Sequence, residues 1–110
     1  TLGIQPHGPS TGYGYLEVTG EEVGSDKGLK AMRVKGFREK PDFKTAQTYV
    51  DSGRHYWNAG MFVFRVRDMI AHFQKMQPQI WAKISAIAPD LSNANYNYAL
   101  VDSISLDYAV

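Results

Sequence analysis

Ala31-Met32-Arg33-Val34-Lys35-Gly36-Phe37-Arg38-Glu39-Lys40-Pro41-Asp42-Phe43 changes its periodicity partway along, and that change decides the fold class. Residues 31–37 alternate apolar and polar side chains, the pattern of a half-buried strand. Pro41 ends the strand, because proline has no N–H for the ladder and holds Lys40 to extended geometry. Asp42 then stands as an N-cap, and Phe43, Ala46, Gln47 and Val50 fall on one face of a helix predicted over residues 43–51, with Gly53 as its stop.

Working outward, Leu2 to Gln5 predicts a short strand closed by Pro6, followed by a loop to Gly12 and a strand over Tyr13 to Val18. Thr19 to Lys30 combines three glycines with a run of charges and is expected to be a turn or a mobile hairpin tip. On the other side, Trp57 to Phe64 is almost continuously apolar, as a central strand covered on both faces would be. Met69, Ile70, Phe73 and Met76 have helical core spacing. Pro78 opens another helix, with Ile80, Trp81, Ile84 and Ile87 inward and Pro89 past its end. Asn93 to Tyr98 reads as loop. The sum is an α/β chain with a mixed sheet.

The 110 residues allow one small domain. Twelve Lys and Arg against eleven Asp and Glu give a net charge of +1, with no electrostatic footprint for nucleic acid or an anionic membrane. Without cysteine, disulfides and thiolate metal sites are excluded, and the composition is compatible with the cytoplasm. No apolar run reaches the length of a membrane-spanning helix. Both ends read as cuts in a longer chain, since Thr1 begins in the middle of a pattern and residues 104–110 stop in an apolar run. Exposed sheet edges are then expected to favour a homodimer.

Four segments carry candidate chemistry. In Thr11-Gly12-Tyr13-Gly14-Tyr15-Leu16-Glu17, Gly14 lets a ligand approach backbone without meeting a Cβ, although a turn glycine gives the same pattern. In Phe37-Arg38-Glu39-Lys40-Pro41, the Glu39 carboxylate suits paired sugar hydroxyls and the Lys40 ammonium a phosphate. Adjacent strand residues point to opposite faces, so both serve one site only if the backbone turns at Lys40-Pro41; a solvated ion pair at a strand end is the alternative reading. Asn58, set in the apolar run Tyr56 to Phe64, needs polar partners, either a ligand hydroxyl or backbone at a bulge beside Gly60. Asp107, among apolar neighbours in Ser103 to Val110, is a candidate ligand for a magnesium ion shared with phosphates, or else the N-cap of a helix. His7, His55 and His72 are too scattered for a metal cluster.

Taken in order, Leu2-Gly3-Ile4-Gln5-Pro6, Thr11 to Glu17, Phe37 to Pro41, Trp57-Asn58-Ala59-Gly60-Met61-Phe62 and Ser105-Leu106-Asp107-Tyr108-Ala109-Val110 resemble successive motifs of mannose-1-phosphate guanylyltransferases. The resemblance covers practically all of this chain but only a central-to-late part of the family's catalytic domain. It implies a Rossmann-like nucleotidyltransferase fold and a reaction of GTP with mannose 1-phosphate that yields GDP-mannose and pyrophosphate, assisted by Mg2+. By matched motif, Gly14 would approach the hexose through its backbone, Glu39 would hold its hydroxyls, Lys40 would bind its phosphate, Asn58 would contact the ring, and Asp107 would ligate magnesium. The family's Gly-rich nucleotide-binding signature and the segment with the other magnesium aspartate have no counterpart, so residues 1–110 are expected to be the sugar-phosphate portion alone and inactive in isolation. Another hexose-1-phosphate nucleotidyltransferase, or a non-catalytic carbohydrate module, is the alternative.

Overall fold

The computed structural model describes residues 1–109, so Val110, the last residue of the Asp107 motif, lies outside the described residues. The chain divides into two compact units, Thr1–Val63 and the remainder from Phe64 onward.

The first unit is a four-stranded sheet with one helix. Its strands are β1 (Gly3–Ile4), β2 (Tyr15–Asp26), β3 (Leu29–Arg38) and β4 (His55–Asn58), in spatial order β1-β4-β2-β3. The α/β class holds, and the three pairings of this sheet, expected to be mixed, are antiparallel among the described residues. Helix α1 (Phe43–Ser52) begins where Asp42 accepts a hydrogen bond from the Thr45 amide at 3.0 Å and ends at Gly53, which takes the left-handed φ of 66°. Both caps were legible in the sequence. The core is small: Tyr15 and Ala46 are fully buried, Trp57 is 7% exposed, and Tyr49 packs against them. Tyr15 also donates its hydroxyl to the Ser10 carbonyl at 2.9 Å, which ties the preceding loop to the sheet.

Three expectations are corrected by this unit. Residues 19–30 are mostly strand, because β2 and β3 form a long hairpin that turns only at Lys27-Gly28, where φ is 47° and 85°. Positive φ at both central residues is the geometry of a type I′ turn, a common two-residue hairpin connection. Cross-strand pairs Lys30–Glu22, Arg33–Glu21 and Lys35–Glu17, at 3.1, 2.6 and 2.8 Å, line this hairpin. Along that hairpin β3 is largely exposed rather than half-buried. The apolar run 57–64 is not one central strand: β4 stops at Asn58, Gly60 has φ 68°, and Val63 is 86% exposed. A left-handed glycine breaks the extended geometry that the run needs.

The second unit is helical, with α2 (Val66–Met76), α3 (Pro78–Ser85), α4 (Ala94–Ala99) and α5 (Leu106–Ala109). Pro78 opens α3 as expected. Helix α4 replaces the expected loop. Asn and Tyr are weak helix formers, but Asn93 just before it accepts from the Ala88 amide and donates to the Ala86 carbonyl, at 2.8 and 3.0 Å, and so fixes where the helix starts. None of α2, α3 and α4 contains a buried residue. Phe73, Ile80, Trp81 and Ile84 instead line an open apolar cleft of about 490 Å³ with Tyr98, Ile104 and Leu106.

Candidate functional site

Gly14 lies just before β2, and two of the other candidates meet it directly. Its carbonyl accepts the backbone N–H of Asn58 at 2.8 Å. On the side where a Cβ would stand, that position is only 2.6 Å from Glu39 Oε2 and 2.7 Å from Phe37 Cζ. The space left by the missing side chain is thus taken by the protein's own carboxylate and phenyl ring. This is a second reason for glycine beside the ligand approach expected from sequence.

Glu39 and Lys40 follow β3 directly. The turn they require is present, and it is made by Lys40 itself, whose φ of 41° is left-handed and not the extended geometry expected before proline. A non-glycine residue in the left-handed region stores roughly 1–3 kcal/mol, and here it directly precedes the buried Pro41. The consequence is that Lys40 Nζ comes to 3.5 Å from Glu39 Oε1, although the two are neighbours in sequence. The Glu39 side chain is only 16% exposed, with Oε2 seated at Gly14 and Oε1 toward the ammonium, while Lys40 stays largely in solvent.

Asn58 ends β4. Its Oδ1 accepts from the Thr1 hydroxyl at 2.7 Å and from the Gly60 amide at 3.3 Å, so both the bulge-like role beside Gly60 and a long-range tie to the first residue are realised. Trp57, the preceding residue, meets His7 edge-on at 4.7 Å and Tyr13 at 4.9 Å between ring centroids. Its buried Nε1 has no hydrogen-bond partner among the described residues. Sequence reasoning had not singled out Phe37, Thr1 or the His7–Trp57–Tyr13 stack. For Phe37 the signal was present, two positions before Glu39 and hence on its side of the strand.

Below this group, His55 is buried and stacks flat on Tyr49 with ring centroids 4.0 Å apart. Ser52 Oγ donates its only proton to the Tyr49 carbonyl and accepts from the Arg54 amide, so its 2.7 Å contact with His55 Nδ1 is an N–H donated by the imidazole. Burial lowers the His55 pKa below its ordinary value; the Glu17 charge opposes this, and Arg54 and Lys35 add to it. Glu17, in turn, is held below the usual carboxylate range first by its hydrogen bond from Lys35.

Asp107 belongs to the second unit, in the first turn of α5. The helix opens at Ser105, whose carbonyl accepts from the Tyr108 and Ala109 amides at 3.1 and 3.0 Å, so Asp107 is inside the helix rather than its N-cap. No group of three or more His, Cys, Asp or Glu able to hold a metal occurs among the described residues. The first unit therefore unites Gly14, Glu39, Lys40 and Asn58, whereas Asp107 is carried by the other unit.

Comparison with known proteins extends this picture. The chain is 40% identical to a mannose-1-phosphate guanylyltransferase of Salmonella muenchen, matching along its whole length but over 24% of that relative. Among solved structures it resembles a mannose-1-phosphate geranyltransferase from Thermus thermophilus, with a TM-score of 0.74 and 32% identity over 99% of this chain and 30% of that one. It also resembles mannose-6-phosphate isomerase from Helicobacter pylori, with a TM-score of 0.73 and 26% identity over 98% of this chain and 43% of that one. The chain spans about a quarter of the length of the curated guanylyltransferases it matches. The profile of the family described as nucleotidyl transferase matches residues 1–103, and the chain accordingly belongs to the nucleotidyl transferase family.

Proposed function

We infer that this chain is the sugar-phosphate-binding portion of a mannose-1-phosphate guanylyltransferase, which joins GTP and mannose 1-phosphate into GDP-mannose and releases pyrophosphate. The observation that supports the reading is Glu39, seated at Gly14 with its second oxygen toward the Lys40 ammonium, while the Asn58 backbone is held to the same glycine. A carboxylate next to an ammonium matches a ligand that presents hydroxyls beside a phosphate. Glu39 accepts from the hexose hydroxyls, Lys40 pairs with the phosphate as a point charge, and Asn58 contacts the ring. The curated relatives named for this reaction match the chain along its full length, which favours mannose over other hexoses.

Magnesium belongs to the same reading. Such an ion is held by one or two carboxylates together with substrate phosphates, so a single Asp107 suits one of its ligands. When bound, it would supply positive charge beside the reacting phosphates. The chain's own part is to orient the sugar phosphate: Lys40 fixes the end that attacks, and Glu39 sets the ring's rotation. A cytoplasmic setting, where GTP is supplied, completes the proposal.

Isothermal titration with mannose 1-phosphate tests it. Binding should weaken in both Glu39→Ala and Lys40→Ala, with Lys40→Ala losing the preference for mannose 1-phosphate over mannose. Equal affinity in the parent chain and both variants would refute the site. The isolated chain is expected to release no pyrophosphate from GTP and mannose 1-phosphate, and steady release would show that these residues suffice for catalysis.

A further inference from the structure

We propose that Phe37 is a positioning residue, which holds the Glu39 carboxylate in one rotamer by sharing with it the space left open at Gly14. This role rests on the reading of Glu39 as acceptor for the sugar hydroxyls and adds the device that orients it.

The geometry is specific. Phe37 Cζ and Cε2 stand 2.7 and 3.0 Å from the point where a Gly14 Cβ would be, and Glu39 Oε2 stands 2.6 Å from the same point. Ring edge and carboxylate oxygen thus converge on one spot of backbone. Phe37 is 38% exposed on the outermost strand of the sheet and is not among the core residues, so core packing does not account for its placement. The second carboxylate oxygen is turned toward Lys40. A free glutamate samples several rotamers, and fixing it before the ligand arrives removes part of the ordering cost of binding. The ring and one carboxylate oxygen share the space at Gly14, and Lys40, at φ 41°, has its ammonium near the other oxygen. Gly14 is then required as much by the acid as by any ligand, since an added methyl would displace the flexible carboxylate before it moved the strand.

The test reads Glu39 with and without sugar. Side-chain three-bond couplings of Glu39 report one rotamer in the parent chain and rotamer averaging in Phe37→Ala, with the remaining amide spectrum retained. Mannose 1-phosphate affinity falls about threefold to tenfold in that variant, the cost of reordering one side chain. Phe37→Leu, which restores an apolar brace, returns the single rotamer and most of the affinity. Gly14→Ala is the second probe, expected to give the same averaging and the same loss. A single unchanged Glu39 rotamer in Phe37→Ala or in Gly14→Ala overturns the proposal. Rotamer averaging in a chain that binds no mannose 1-phosphate in any form supports the brace and overturns the sugar reading instead.

Discussion

The chain has two tryptophans, and they stand in regions built differently. Trp57 is 7% exposed, locked between the Tyr15–Ala46 core on one side and the His7 and Tyr13 rings on the other. Trp81, on α3, is half-buried along an open apolar cleft, in a unit whose three longer helices bury nothing completely. The first unit closes its core with few residues and takes left-handed backbone at Lys40 and Gly60, beside Glu39 and Asn58. The second has amphipathic stripes of the right spacing that stop short of a closed core. A regular hydrophobic pattern therefore gives helices their faces, while closure depends on what each face meets.

Substituting the two indoles puts this difference to a first test. Trp57→Ala is expected to cost about 3–5 kcal/mol, enough to unfold the first unit, whereas Trp81→Ala costs about half of that or less because its ring is already partly in water. Urea unfolding followed by the amide NMR signals of each unit reads both. Equal costs would dissolve the distinction between the regions. A sharper variant is Trp57→Phe, which shrinks the ring but also removes a buried N–H that is unpaired among the described residues. The two effects oppose each other, so stability should stay within about 1 kcal/mol of the parent.

Acid separates the regions next. The depressed folded pKa of His55 means that its contribution is present above the ordinary value of 6.5 and is lost as pH falls through the lower folded value. The carboxylate of Glu17, also depressed, loses its contribution only at lower pH, below its ordinary 4.5. Melting of the first unit should thus weaken in two steps on acidification, and His55→Gln should remove the upper one. An unchanged pH profile in His55→Gln would contradict the buried, Ser52-bonded imidazole. The smallest effect is at Lys40: Lys40→Gly relieves the left-handed backbone and should raise stability by up to about 1 kcal/mol while weakening sugar-phosphate binding. Opposite signs for stability and binding at one residue mark strain that serves a site.

Local chemistry made part of this fold readable. Asp42 and Gly53 announced α1 because caps act within a few residues, and Pro41 announced the end of β3 for the same reason. Gly60 was visible in the sequence, but its φ was not, so the apolar run around it read as one long strand. The glycines and charges of residues 19–30 suggested a turn or a mobile hairpin tip, and the length of the two strands stayed hidden because their pairing joins residues distant in sequence. At the site, residue types left Glu39, Lys40 and Asn58 open between ligand and structural roles, and the resemblance of the ordered motifs singled them out. That they meet at Gly14, and that Phe37 joins them, depends on the β2–β3 and β2–β4 register, which pairs Tyr15 with both Arg38 and Trp57. Register is set by the whole sheet and has no local signature.

The central claim is that one sugar-phosphate site lies in the first unit around Gly14. Amide chemical shifts of the labelled chain, followed through a titration with mannose 1-phosphate, test it most directly. The largest saturable shifts are expected at Gly14, Glu39, Lys40 and Asn58, and they should disappear in Lys40→Ala. Shifts confined to other residues, or none at saturating ligand, would contradict it.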